Sequence, residues 1–280
     1  MRYQDLINLE LYPIHTACPA RDEAVARART ALARDGCAVL PNFLTQTGIN
    51  ALAAEADAAS PAAHRSYNRT NVYFTQDDPA LPRNHPKRQF FDRSNAFMPA
   101  DQFAPDRPLR CVHDAPGFDA FIQDCLQERA FFRYADPLAD VIVNTAGEGP
   151  GFPWHFDTNN FTVTLAIQNA DAGGEFEYVP AIRDGAGNEN FDAVAEVLAG
   201  GSNRVVSLVL QPGDLQLFRG RYSLHRVAPL KGKRPRHVAI LSYVEEPDMV
   251  GAPERTRQLY GRVLPIHLQR AGQRADTLID

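Results

Sequence analysis

The sequence predicts a mainly β protein with flanking α-helices, its core a jelly roll or sandwich. Strand-like runs recur from Val141 onward, at 141–145, 161–168, 174–179, 204–210, 214–218 and 236–244. Turn residues separate them: Gly147–Gly151, Gly173-Gly174, Gly200-Gly201 and Pro212-Gly213-Asp214. Short strands at that spacing indicate a sandwich or jelly roll rather than a parallel βαβ sheet. The length of 280 residues, 44% of them hydrophobic, suits one well-cored domain, residues 1–280. Its core strands cover about 141–245, with N-terminal helices and loops over 1–140 and a C-terminal cap over 246–280.

The elements follow in order. Arg21 to Arg34, rich in Ala, Arg and Glu, reads as a helix that Asp35-Gly36 ends. Cys37–Leu40 reads as a short buried strand, and Thr45 or Thr47 caps a second helix through roughly Ala59. Residues 60–110, dense in Pro, Asn, Asp and Arg, read as long loops, which in a compact domain are usually functional or mobile. A helix is expected over about 116–133, and another over 253–262.

Composition narrows the function classes. A formal charge of −5 argues against a general nucleic-acid surface, and the basic stretches 231–236 and 255–262 are too short to overturn that. Cys18, Cys37, Cys111 and Cys125 lack CxxC spacing and fit reduced thiols in a cytoplasm. No segment has the apolar length of a leader or a membrane span, so a cytoplasmic location without membrane contact is expected.

The chemistry is concentrated in "GFPWHFDTNNFTVTLAIQN", residues 151–169. In extended backbone, positions i and i+2 project the same way, so His155 and Asp157 share a face while Trp154 and Phe156 turn to the other. An imidazole and a carboxylate side by side suit a divalent metal, though two ligands alone are equally a structural pair. The next histidine, His225, follows a Gly-Asp turn and a short apolar strand in "GDLQLFRGRYSLHRVAPLKG". Two histidines and one carboxylate make the facial triad of non-haem Fe(II) oxygenases, with coordination positions left open. 2-Oxoglutarate would chelate such an iron, and its far carboxylate needs a cation. Arginine meets a carboxylate with two parallel hydrogen bonds and stays charged. Arg236, opening the strand "RHVAILSYV", is one candidate, and Arg234 is a second.

HxD, then GD-x-x-x-F, then H-x-V-x-P with an arginine-led apolar strand, resembles the Fe(II)/2-oxoglutarate dioxygenase superfamily, built on a double-stranded β-helix. Within it, "WHFDTNNFTVTLAIQ", "GGEFEYVP" and "LHRVAPLKGKRPRHVAILSY" look like the group of free-amino-acid radical halogenases, the lysine halogenase-like proteins, and their sister hydroxylases. The likeness covers roughly residues 90–262. Halogenases of that group have glycine where this chain has Asp157, and the vacancy lets chloride bind iron. The resemblance therefore implies hydroxylation of an aliphatic C–H bond in a free amino acid or small derivative. Fe(II), 2-oxoglutarate and O2 are the implied participants, with succinate and CO2 released and a ferryl intermediate abstracting hydrogen. Desaturation or cyclisation on the same iron, a nucleotide or carrier-bound substrate, and a non-enzymatic jelly-roll binding protein are the alternatives. A homodimer is possible.

The resemblance also suggests substrate contacts. Arg93, in "QFFDRSNAFMPADQF", resembles the arginine that holds the substrate carboxylate, and Asp140 stands near the position where relatives hold an ammonium. Thr158 and Asn160 follow the HxD motif closely enough to bond substrate or to order the turn. Phe152 stands where lysine-acting relatives tend to have histidine, which implies a less polar or differently shaped amino acid. Tyr260 in "RQLYGR" could close the pocket from the C-terminal cap.

Overall fold

A computed structural model of the protein describes residues 1–184 and 187–270. The last ten residues of the expected cap, 271–280, lie outside that range. Two sheets face one another, as in a double-stranded β-helix. The larger has seven strands in the order Cys37–Leu40, Leu215–Phe218, Thr162–Gln168, Arg236–Leu241, Val141–Ala146, Phe91–Met98 and His64–Thr70. The smaller has four, in the order Val206–Leu208, Phe176–Val179, Leu224–Val227 and Phe152–His155. Every pairing within both sheets is antiparallel.

The N-terminal helices cover the outer face of the large sheet. Pro19–Asp35 buries Ala24, Val25, Ala28 and Leu32, a three- and four-residue rhythm that lines one helical face. Gly36, at φ 64°, ends it in the left-handed conformation that glycine adopts without steric cost. Gln46–Ala59 starts at Thr45, whose side chain accepts a hydrogen bond from the Gly48 N–H. Both helices pack into the main hydrophobic cluster with Val141, Val143, Val163, Leu165, Leu215, Leu217 and Ala239 of the sheet. That rigid layer fixes the strands from which the inner face projects.

The region 60–110 departs from its expected loop character. His64–Thr70 and Phe91–Met98 pair along their whole length, and the second continues onto Val141–Ala146. Neither strand shows apolar alternation, because His64–Thr70 (HRSYNRT) is polar on both faces and lies at the sheet edge. The helix expected over 116–133 is shorter, Phe118–Leu126, and stops at Gln127 with φ 62°. Phe132–Arg133 is instead a short strand paired with Tyr243–Val244. A helix at Phe191–Leu198, which the sequence reading did not anticipate, seals the second hydrophobic cluster behind Trp154 and Phe156. The four cysteines form no disulfide. Among the described residues no helix is long and apolar enough to cross a membrane.

Candidate active site

Adjacent strands of the small sheet bring the two histidines together. His155 ends Phe152–His155 and His225 lies in Leu224–Val227, and the two are directly opposite each other in the register. Cross-strand neighbours on one face stand about 5 Å apart, and the two imidazole centroids are 4.2 Å apart. Asp157 lies just past the strand end, held by a hydrogen bond from its N–H to the Gly220 carbonyl. Its Oδ1 is 3.3 Å from His225 Nε2 and 3.8 Å from His155 Nε2. One donor atom from each of the three residues fits within 4.8 Å of the others, and this is the metal-competent group found among the described residues.

Surrounding groups set the donor atoms. Nδ1 of His155 is 2.8 Å from the Pro153 carbonyl, and Nδ1 of His225 is 2.9 Å from that of Ser223. A carbonyl only accepts, so both Nδ1 atoms carry a proton, which leaves the two Nε2 atoms, turned to the shared space, as the ring atoms that could bind a metal. Burial, then the neighbouring His225 and Arg93 charges, holds the His155 imidazole well below its usual range, so it stays neutral. For Asp157 burial pushes upward, but the facing His225 charge, its hydrogen bond and the Thr162 hydroxyl prevail and hold the carboxyl below the usual range. Thr162 Oγ1 donates to Oδ2 at 2.5 Å, leaving Oδ1 for the centre of the triad. Two imidazole Nε2 atoms and one carboxylate oxygen fit a first-row divalent metal.

The triad opens into a cavity of about 740 Å³ between the sheets, lined from both sides and by the helix Pro253–Tyr260. Arg236, at the start of its strand, lines this cavity and is buried, and no hydrogen bond or ion pair engages its guanidinium among the described residues. Burial pulls it down to about 10, so it remains a cation at neutral pH. A buried charge without a partner is costly, and the chemistry of an anion such as the far carboxylate of 2-oxoglutarate fits it.

The remaining sequence candidates divide. Arg93, Phe152, Thr158 and Tyr260 line the cavity. Arg93 is buried, its Cζ 4.8 Å from the Phe74 ring centroid and 5.2 Å from that of Phe152. The apolar ring at 152 thus backs a cation, and by itself it does not argue for an apolar substrate. Three candidates lie outside the cavity lining. Asp140 is held by Arg110 in a bidentate pair at 2.5 and 2.9 Å, so it is a structural carboxylate. Arg234 sits in the turn before the strand, over half exposed, with Asp171 at 3.6 Å and the Ala170 carbonyl at 3.3 Å. Asn160 accepts a hydrogen bond from the Tyr222 hydroxyl at 3.1 Å.

Four contributors escaped the sequence reading. Thr162 reads as an ordinary β-branched strand residue, and nothing in the sequence singles out Gly220. Arg255 was counted in a basic stretch, yet it lines the cavity from the first turn of Pro253–Tyr260. Phe74 has a positive φ of 56°, which residue type does not signal, and its ring centroid is 5.9 Å from that of His155.

Comparison with known proteins gives the class. AviO1 from Streptomyces viridochromogenes Tue57 superposes with a TM-score of 0.53 at 20% identity, over 85% of this chain and 100% of that one. The epimerase SnoN, solved with Fe3+, alpha ketoglutarate and nogalamycin RO, gives 0.53 at 16% identity over 91% and 93%. A prolyl hydroxylase from Trichoplax adhaerens, in complex with a hypoxia inducible factor peptide fragment, gives 0.51 at 15% over 80% and 90%. No curated protein matches the chain. The shared fold, with two histidines and an aspartate at one end of its small sheet, defines a 2-oxoglutarate- and Fe(II)-dependent oxygenase. Within that class the chain belongs to the family described as HalD, Halogenase D, whose model matches residues 20–259.

Proposed function

We propose that the protein hydroxylates an aliphatic C–H bond of a free amino acid or small amino-acid derivative. The observation that carries this reading is the Asp157 carboxylate, whose Oδ1 joins the two Nε2 atoms in the shared space. In the resembling halogenases glycine stands there and leaves room for chloride; here the carboxylate fills that room, which favours hydroxylation despite the family's description. His155, Asp157 and His225 would hold Fe(II), and the SnoN complex supports such a metal in this fold.

Bound Fe(II) with 2-oxoglutarate and O2 supplies the oxidising chemistry, with succinate and CO2 as co-products. The chain's own residues position the reactants. Arg236 would take the distal carboxylate of 2-oxoglutarate by a bidentate contact. Arg93, braced between Phe74 and Phe152, would take the substrate carboxylate. Phe97, packed edge-on against Phe152 and Tyr260, narrows that side of the cavity against water. Selectivity then belongs to position: the carbon held nearest the metal reacts. In this reading the whole chain works as one catalytic unit of the cytoplasm.

The test is a screen of the proteinogenic amino acids with Fe(II), 2-oxoglutarate and ascorbate, followed by mass. Gain of one oxygen with matching succinate supports the proposal, loss of two hydrogens points to desaturation, and no Fe(II)-dependent product with any amino acid refutes it. His225→Ala should remove both metal binding and turnover.

A further inference from the structure

We propose that Asp136 is a positioning residue for the substrate side of the cavity: it pins both ends of the segment 251–267 and so fixes the wall which that segment builds. The pinning stands on geometry alone, while its effect on turnover rests on the hydroxylase reading above.

The wall is the first ground. Arg255, Gln258, Leu259 and Tyr260 line the cavity, and all lie in the helix Pro253–Tyr260. That helix packs over the strands His64–Thr70 and Phe91–Met98 with Thr256 and Tyr260 buried, but it belongs to neither sheet. No strand ladder therefore sets its place, as one does for His155, His225 and Arg236. Its own ends are weakly fixed too. Ala252 supplies no side-chain cap, and Gly261, at φ 73°, turns the chain away in the left-handed conformation. At the surface Arg262 pairs with Asp101, both half-exposed, a kind of contact that carries little energy.

The second ground is the carboxylate below. Asp136 is buried at the cavity wall, and its own backbone is tied to the frame. The strand Phe132–Arg133 before it pairs with Tyr243–Val244, and the Tyr134 N–H donates to the Ser242 carbonyl at 3.0 Å. Oδ1 accepts from the Leu138 N–H at 2.8 Å, which orients the group. Oδ2 reaches the cap twice. It accepts from the Gly251 N–H at 2.9 Å, just before the helix, and lies 3.0 Å from Nε2 of His267, beyond its end. His267 is fully buried, and its Nδ1 accepts from the Leu264 N–H at 2.9 Å. A backbone N–H only donates, so the ring proton sits on Nε2 and points at Asp136. One carboxylate oxygen thus closes the excursion from 251 to 267 into a loop, with the cavity-lining helix inside it. The fit is close at the entry: a Cβ built on Gly251 would stand 2.7 Å from Thr256 Oγ1 and 3.0 Å from Oδ2 of Asp136.

His267→Leu keeps bulk and removes both ring contacts, whereas His267→Gln retains an N–H that can reach Asp136. Asp136→Asn and Gly251→Ala disturb the same junction from its other sides. Hydrogen exchange of the full-length protein loaded with Zn(II) and 2-oxoglutarate should rise at least about tenfold over 251–267 in His267→Leu, with Thr162–Gln168 unchanged. With the amino acid best turned over in the screen above, KM should rise at least about fivefold while kcat changes less than about twofold. Co(II) affinity and the KM for 2-oxoglutarate should match the parent, because the triad and Arg236 sit on the sheets. His267→Gln should recover part of both effects, and Gly251→Ala should reproduce them. Unchanged exchange over 251–267, or an equal rise over Thr162–Gln168, would overturn the pinning. A loosened segment with an unchanged amino-acid KM would overturn the positioning role. Failure of every amino acid in the screen would remove the hydroxylase reading, and exchange alone would then decide for or against the pinning.

Discussion

Gly220 and Asp157 are fitted to each other. A Cβ built on Gly220 would stand 1.9 Å from Oδ2 of Asp157 and 2.6 Å from its Cγ, while the Gly220 carbonyl accepts the Asp157 N–H at 3.2 Å. No real Cβ tolerates such an approach, so the carboxylate keeps its place because position 220 has no side chain. Gly220→Ala should displace the carboxylate and weaken Fe(II) or Co(II) binding by about 10–100-fold with the fold retained. Metal titration by Co(II) absorbance, with circular dichroism as the control for folding, measures this. Unchanged affinity would mean that the carboxylate does not ligate from this position.

Thr162 fixes which oxygen of Asp157 faces the metal. Thr162→Val keeps the shape of the side chain and removes the donor to Oδ2. Metal affinity should fall by about tenfold, and Thr162→Ser should restore most of it. A valine variant as tight as the parent would show that the hydroxyl is only packing.

Arg236 is the expected anchor of the co-substrate. Arg236→Gln should raise the KM for 2-oxoglutarate at least about thirtyfold, because the carboxylate loses a buried, charge-assisted partner. Arg236→Lys should recover only part, since a point charge cannot reproduce the planar fork. The same kinetics should leave Arg234→Gln close to the parent, given that its side chain faces solvent and Asp171.

A pH effect on stability is expected from His113. The side chain is fully buried against Phe118 and Tyr243, and neither ring nitrogen has a hydrogen-bond partner among the described residues. Burial, reinforced by the Arg133 and Arg110 charges, pulls it from 6.5 down to about 3. Its folded value lies below its unfolded one, so between those values the unfolded chain binds a proton that the folded chain refuses. Its contribution is fully present above pH 6.5 and is lost as pH falls toward 3. Urea unfolding at pH 7 and at pH 4.5 should show a smaller acid-induced loss for His113→Leu than for the parent.

Much of the scaffold was legible because its signals are local. Ala-rich periodicity and Gly36 marked the helix Pro19–Asp35, and β-branched runs between glycine turns marked the strands of the jelly roll. The triad candidates could be read because His155 and Asp157 share a face in extended backbone and His225 follows a turn and a strand. The strands His64–Thr70 and Phe91–Met98 were not legible, since the first is an edge strand polar on both faces and the second (FDRSNAFM) mixes polar and apolar residues on each face, so neither carries apolar alternation. The same limit hid the partners of Asp140 and Asn160, since Arg110 and Tyr222 lie 30 and 62 residues away in the chain. Arg236 ranked ahead of Arg234 because the apolar run that marks the strand starts directly after it, and the strand does begin at 236. Gly220 and Phe74 act through backbone shape and close approach, which no residue type announces.

The register that sets His155 opposite His225 makes the spacing of the two imidazoles a property of the sheet lattice rather than of the chain between them. Between them, Asp157, Thr162, Gly220 and the paired strands are fixed, but the stretch that carries the helix Phe191–Leu198 and the edge strand Val206–Leu208 is one where length can drift without retuning the metal centre. Evolution can rebuild that excursion, and a protein engineer can splice into it, while the pair of rings stays in step.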